Sequence, residues 1–254
     1  MENQYVEGKV LLIDKPYEWT SFDVVGRIRS LLRKAYGLKK IKVGHAGTLD
    51  PLATGLVIVC TGKYTKQIDQ IQQGEKEYIA GLELGKTTPS FDKETQVNGQ
   101  YPFEHITLEL VQQVLKQYIG VQQQVPPVFS AKMVDGKRAY EIAREGKEVE
   151  MKASTIEIKE LELLRFELPY IEIRIVCTKG TYIRSLARDI GLSLGSGAFL
   201  TLLRRTKSGE YNVEQAITPE VFEAGIKADE TVGELLKGKD FFTKIYNRHE
   251  TLSI

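Results

Sequence analysis

The stretch Gly44–Gly55, reading Gly-His-Ala-Gly-Thr-Leu-Asp-Pro-Leu-Ala-Thr-Gly, constrains the fold more than any other part of this chain. Three glycines and a proline within twelve residues forbid regular helix or strand. The next residues, Leu56-Val-Ile-Val-Cys60, are apolar and mostly β-branched, and they predict a buried strand. Asp50, the one carboxylate in the stretch, is therefore expected on a loop at the rim of a core, where reactive groups are mounted on rigid scaffolds. Taken alone, Asp-Pro in a glycine-rich loop is most often only a turn, and a lone His45 is more often a core or loop histidine than a functional group.

Charge distribution says more than its sum. The 254 residues carry a net charge of +1, which by itself argues against a nucleic-acid partner. Yet from Val24 to Leu49 there are seven basic residues and no acid: Arg27, Arg29, Arg33, Lys34, Lys39, Lys40 and Lys42. A positive surface running into the Asp50 loop suits a polyanion placed against that carboxylate. A solvated helix face is the plainer explanation of such a run in isolation. No apolar segment has the length of a membrane span or a secretory leader, so a cytoplasmic protein away from membranes is expected. Cys60 and Cys177 fall in apolar runs and read as reduced core thiols, and two cysteines with three scattered histidines offer no metal-ligand spacing.

Along the chain, Lys9–Ile13 predicts a strand ended by Asp14-Lys15-Pro16. Thr20 or Ser21 caps a helix with apolar positions at a 3.6-residue period and Gly37 as its stop. A short helix is expected near 65–72, a strand over Lys76–Leu84, loops over 86–106, a helix over Thr107–Tyr118 and an extended connector around Pro126 and Pro127. In the arm Ser130–Gly146, basic residues Lys132, Lys137, Arg138 and Arg144 interleave with Tyr140. That mixture suits RNA, with cations on phosphates and a ring on a base, although composition supports an ordinary helical hairpin nearly as well. Ile156–Phe166 and Ile171–Cys177 predict paired strands around Pro169. A helix to about Leu194, a strand over Phe199–Leu203 followed by Arg204 and Arg205, and one or two helices beyond Pro219 complete the pattern. Gly85-Lys86-Thr87 mimics the end of a phosphate loop, but it lies on a strand pattern with Pro89 where a helix should begin. Gly195-Ser-Gly197 lacks the third glycine of a dinucleotide fingerprint.

The Gly44–Gly55 string resembles the signature loop of the TruB-type pseudouridine synthases, the bacterial tRNA pseudouridine-55 synthases. Four further segments follow in the family's order: Leu12–Pro16, Lys76-Glu-Tyr78, the Ser130–Gly146 arm, and Lys179-Gly-Thr-Tyr-Ile-Arg184 with the later Leu203-Arg204-Arg205. The resemblance implies an α+β pseudouridine synthase fold, a mixed and mostly antiparallel central sheet flanked by helices, with an RNA-gripping arm at about 120–150. It implies a catalytic domain over 1–215, followed by a short helical extension over 216–254 without a PUA domain, because about forty residues after Gln215 are too few for that module.

The implied activity is isomerisation of a T-loop uridine of tRNA to pseudouridine by a monomer without cofactor or metal. Asp50 would be the catalytic carboxylate. Tyr78 would stack on the uracil and handle its C5 proton, and Arg184 would pair with Asp50. His45, Tyr182 and Leu203 would line the substrate pocket, and Lys15 would support it from its own loop. Arg27, Lys39, Lys40 and Lys42, with the arm's Lys132, Lys137, Arg138 and Arg144, would hold RNA. One departure stands out: Thr88-Pro89-Ser90 replaces the family's usual Thr-Asp-Thr, so no role passes to that loop, although Asp92 remains. An RNA-binding or RNA-folding protein on the same scaffold is the alternative. A glycosidic hydrolase would need a second loop carboxylate, which the sequence lacks.

Overall fold

The computed structural model describes residues 3–130, 132–134, 136–139, 142 and 150–228. They form two compact units, the first from the residues up to Gln72 together with those from Tyr211 onward, the second from Gln73–Glu210.

The first unit is built on a strand pair and a helix. Strand β1 (Val10–Lys15) and the short β2 (Val43–His45) both run antiparallel to β3 (Thr54–Thr61), and Cys60 pairs with Val10 on one side and Gly44 on the other. Residues Leu56 to Cys60 are wholly buried, as an apolar run covered on both faces should be. The helix Ser21–Ala35 opens with a capping box: Asp23 N donates to Thr20 Oγ1 at 3.0 Å and Thr20 N donates to Asp23 Oδ2 at 2.8 Å. Thr20 Oγ1 also donates to Asp23 Oδ2 at 2.6 Å, and this bond first, with that from Thr20 N second, holds the Asp23 carboxyl below its usual range. Val24, Val25, Ile28, Leu31 and Leu32 form the buried stripe, and Gly37 at φ 60° ends the helix with Leu38 N donating to Arg33 O.

Two expectations need correction here. Strand β1 does not stop before Asp14 but carries it and Lys15 into the sheet, paired with Leu56 and Gly55. Pro16, with no N–H to give, is the stop. Nor is the chain after Gln215 an appendage, in so far as it is described. Ile217 forms a parallel bridge with Ile13, and the helix Pro219–Ala228 buries Phe222 against Tyr5, ring centroids 6.4 Å apart. The expected boundary at residue 216 therefore lies inside a packed unit.

In the second unit β4 (Lys76–Leu84) leads into a two-stranded ribbon of β5 (Lys86–Thr87) and β6 (Gly99–Gln100). The helix Leu108–Gln117, capped by Thr107, precedes β7 (Gly120–Gln124), and the arm contributes a small hairpin, β8 (Met133–Val134) with β9 (Lys137–Arg138). Then come β10 (Ser154–Glu167), β11 (Tyr170–Cys177), the helix Ile183–Ser193 and β12 (Ala198–Ser208). The sheet order is β12, β4, β11, β10, β7, antiparallel throughout.

The connector before Pro126 begins as strand β7, because β10 extends far enough to pair with it. Likewise β12 runs through Arg204 and Arg205, the latter only 1% exposed, because β4 offers ladder partners that far. The loop-like 86–106 contains the ribbon and buries Thr88, Ser90 and Asp92. The expectations placed on Tyr140, Arg144, the helix toward Gly146 and the residues beyond 228, and on the Arg138 side chain, lie outside the described residues. Both cysteines are free and buried, and burial pushes each thiol up to about 11. Among the described residues no helix is long and apolar enough to cross a membrane.

Candidate active site

In the first unit, the Asp50 loop is fastened by side chains from the strand and helix beneath it. Leu49 N donates to Ser21 Oγ at 2.8 Å, and Ser21 Oγ donates back to Leu49 O at 3.3 Å. Ala53 N closes a turn onto Asp50 O at 3.1 Å, with Pro51 supplying the fixed φ of its second position. Pro51 O accepts twice, from Glu18 N at 2.9 Å and from Lys15 Nζ at 3.1 Å. Glu18 reaches it by adopting φ 67°, uncommon for a residue with a side chain.

The Lys15 ammonium also donates to the carbonyls of Pro16, at 3.0 Å, and of Trp19. Lys15 thus departs from its expected place: it closes a strand, is wholly buried, and spends its three donors on backbone. It positions the loop. Gly47 and Gly55, at φ 100° and 103°, occupy conformations that other residues rarely adopt. Asp50 itself is half-buried, as is His45 at the end of β2 opposite Val59.

In the second unit, register places the aromatic and aliphatic candidates together. Tyr78 on β4 stands opposite Arg205, and Leu203 stands opposite Ala80, two residues from Tyr78. Paired residues and alternate residues share a face, so Tyr78, Leu203 and Arg205 lie on one side of the sheet. Tyr182 is the cap residue of the Ile183–Ser193 helix, and the buried Gln124 amide clamps its backbone: Tyr182 N donates to Gln124 Oε1 at 2.8 Å and Gln124 Nε2 donates to Tyr182 O at 3.1 Å.

Arg184, only 4% exposed, donates from Nη1 to Ser90 O at 3.3 Å and has Asp92 Oδ2 at 3.6 Å from Nε, an ion pair and not a hydrogen bond. The loop that departs from the family pattern is therefore a folded platform under this guanidinium. Asp92 O accepts from Thr88 Oγ1 at 2.7 Å and from Ser90 Oγ at 3.3 Å, and Ser90 N donates to Thr95 Oγ1 at 3.0 Å. Phe91, at φ 62°, lies under the Arg188 guanidinium, 5.0 Å from the ring centre.

Sequence reasoning assigned Ser90, Asp92 and Gln124 no part in the site, and Ser21 none beyond a candidate helix cap. The clustering of Thr88, Ser90, Asp92 and Thr95, hydroxyls and a carboxylate at turn spacing, was a usable sign for the first two.

The basic residues divide. Arg27, expected at the RNA surface, is paired with Glu223. That carboxyl is held below its usual range by Lys227 first and Arg27 second, so Arg27 tethers the Pro219–Ala228 helix. Lys132 Nζ donates to Lys152 O at 3.1 Å and Ser154 Oγ at 2.7 Å, while Lys137 is exposed on the arm hairpin. Lys39, Lys40 and Lys42 are exposed on the segment entering β2. Among the described residues no cluster of histidine, cysteine and carboxylate could hold a metal ion.

Residues 33–183 match the N-terminal domain of the TruB family pseudouridylate synthases, and residues 184–238 match the tRNA pseudouridylate synthase B C-terminal domain. The chain belongs to the TruB family. The division between the two TruB matches falls within the Ile183–Ser193 helix, so it is no boundary of packing.

Among its TruB relatives, tRNA pseudouridine synthase B of Parabacteroides distasonis is 59% identical over 216 residues, 85% of this chain and 92% of that protein. The protein of the same name from Flavobacterium johnsoniae is 50% identical, covering 88% of this chain and 98% of its own length. Of solved structures, a chain of a Cbf5-Nop10-Gar1 complex is similar with TM-score 0.65 and 29% identity, over 87% of this chain and 54% of that one. A chain of an H/ACA RNP bound to a substrate RNA containing 2′-deoxyuridine is similar with TM-score 0.66 and 26% identity, over 94% of this chain and 58% of that one. The TruB chain thus spans little more than half the length of these solved chains.

Proposed function

We propose that this protein, as a monomer in the cytoplasm, isomerises a uridine in the T-loop of tRNA to pseudouridine, with Asp50 as the catalytic carboxylate. Membership of a pseudouridine synthase family gives the reaction, and the names of the relatives point to tRNA. The observation that most supports Asp50 is the fastening of its loop: Ser21, Lys15 and Glu18 fix the backbone on both sides of a half-buried carboxylate. Holding one reactive group in a productive geometry is where much of an enzyme's advantage comes from.

The reaction breaks the C1′–N1 bond, turns the freed uracil, and joins C1′ to C5. The proton on C5 leaves and N1 ends protonated, so the isomerisation balances without an outside reactant. Asp50 acts at the sugar or on its proton. Tyr78 stacks on the uracil with Leu203 and Tyr182 around it and His45 beside the nucleotide, and Arg184 is the cation that the TruB resemblance pairs with the carboxylate. The target uridine is swung out of its loop to reach them. Lys39, Lys40 and Lys42, with the arm's Lys132 and Lys137, hold the phosphates.

Substitution of Asp50 by Asn tests the assignment. Tritium release from C5-labelled uridine in a T-arm RNA should fall by at least ~10³-fold while RNA binding is retained. Pseudouridine formed at the normal rate by Asp50→Asn would end the proposal and leave RNA folding as the role of the scaffold.

A further inference from the structure

The helix Ile183–Ser193 begins at a residue poorly suited to cap it. Serine, threonine, asparagine and aspartate favour that place because a short polar side chain can turn back onto the first amides. Tyr182 stands there instead, extended at φ -95°, and its side chain makes no capping hydrogen bond. Just before it the chain turns at Lys179 and Gly180, the latter at φ 84°.

The start of the helix is fixed from another strand. Gln124 ends β7, the edge strand of the sheet, and is 3% exposed. Its amide accepts from Tyr182 N at 2.8 Å and donates to Tyr182 O at 3.1 Å. The N–H needs an acceptor and the carbonyl a donor; an amide in this one orientation answers both, whereas a carboxylate answers only the first. Tyr182 O also accepts from Leu186 N at 3.1 Å, so Gln124 is tied to the point where the first turn of the helix closes. The seam continues at the next residue, where the buried Ser185 donates from Oγ to Val125 O at 2.8 Å. Of the three consecutive glutamines Gln122, Gln123 and Gln124, only the last is buried.

We propose that Gln124 is a positioning residue for pseudouridine formation: by clamping the N–H and the C=O of Tyr182 it sets where that ring stands against the uracil. The inference rests on Tyr182 lining the pocket, as in the proposed function. Two hydrogen bonds to one residue's backbone hold it against rotation about φ and ψ, and with it the direction in which its side chain leaves the chain. A freed uracil must be kept in place while it turns, and a pocket wall displaced by about 1 Å can cost ~10²-fold in rate.

The test is the single-turnover rate of pseudouridine formation at saturating tRNA for Gln124→Met, measured in the parent and again in Tyr182→Ala. Methionine keeps the length of the side chain but offers no donor and only a weak acceptor. In the parent the rate should fall ~10²-fold with Kd for tRNA unchanged. In Tyr182→Ala, already slowed by the missing ring, the same substitution should cost no more than about 2-fold further, because the group it positions is gone. Gln124→Glu keeps the acceptor and loses the donor. It should lie between the parent and Gln124→Met, and it carries the same comparison if Gln124→Met does not fold. Equal losses in the two backgrounds would overturn the proposal, since a general weakening of the fold does not depend on the ring. So would a parental rate in Gln124→Met, or a loss confined to tRNA affinity, which would make Gln124 an anchor of the arm and nothing more. Failure of the proposed function shows differently: the unsubstituted protein would bind tRNA without forming pseudouridine, and this inference would fall with it.

Discussion

Lys76 shows how far burial can move a single group. It begins β4, two residues before Tyr78 and on the same face, and is only 5% exposed. Desolvation first, and the charge of Arg205 second, bring its ammonium down to about 8. An unfolded lysine titrates near 10.4, so between those values the unfolded chain holds a proton that the folded chain has released. Stability from this residue therefore rises from pH 8 to about 10.4, and below pH 8 the folded state bears the whole cost of a desolvated cation. Lys76→Met should accordingly be more stable than the parent at pH 7 by ~2 kcal/mol, with the advantage shrinking as pH climbs toward 10. Urea denaturation of both proteins across that range measures it. The raised thiols of Cys60 and Cys177 oppose the trend above pH 9; Cys60 is common to both proteins, whereas the Lys76 charge lowers the Cys177 thiol and the variant loses that influence. A difference independent of pH would show that the ammonium is not desolvated.

At the scale of one element, the Asp50 loop is irregular in conformation yet firmly held. A glycine-rich segment that is paired in the sheet only at its two ends would ordinarily be mobile between them; here Lys15 and Ser21 hold that part with side-chain donors and acceptors. Lys15→Met keeps the length and apolar bulk of the stem while leaving the carbonyls of Pro16, Trp19 and Pro51 short of a donor. The expected cost is about 2–4 kcal/mol of stability. The same variant should lower kcat for pseudouridine formation much more than it raises KM for tRNA, because the loop would lose geometry and not RNA contacts. Thermal melts with steady-state kinetics check both, and an unchanged kcat in a folded Lys15→Met protein would remove Lys15 from the positioning of the loop.

For the molecule as a whole, the two ends of the described chain meet in one unit. Residues 3–72 are completed by the strand bridge at Ile217 and by Phe222, which is wholly buried against Tyr5. Phe222→Ala should cost about 3–5 kcal/mol as a cavity is left behind. The loss should be local: hydrogen exchange should quicken through β1, β3 and the Ser21–Ala35 helix, while β4, β10 and β11 keep their protection. Equal loss in both units would mean that they unfold together.

Much of this was written in the residues themselves. The 3.6-residue period and Thr20 cap fixed the long helix, the run from Leu56 to Cys60 fixed a buried strand, and the Gly44–Gly55 string marked the family. These signals are short-range, carried by propensity, pattern and local capping, and so they survive without the rest of the chain. The fate of charges did not follow in the same way. Arg184 finds Asp92 across more than ninety residues of sequence, Lys15 finds Pro51, and Arg27 finds Glu223. Arg205 is carried into the interior by a strand that outruns its apolar pattern. Whether a cation is exposed, buried or paired depends on partners that only tertiary packing brings within a few ångströms.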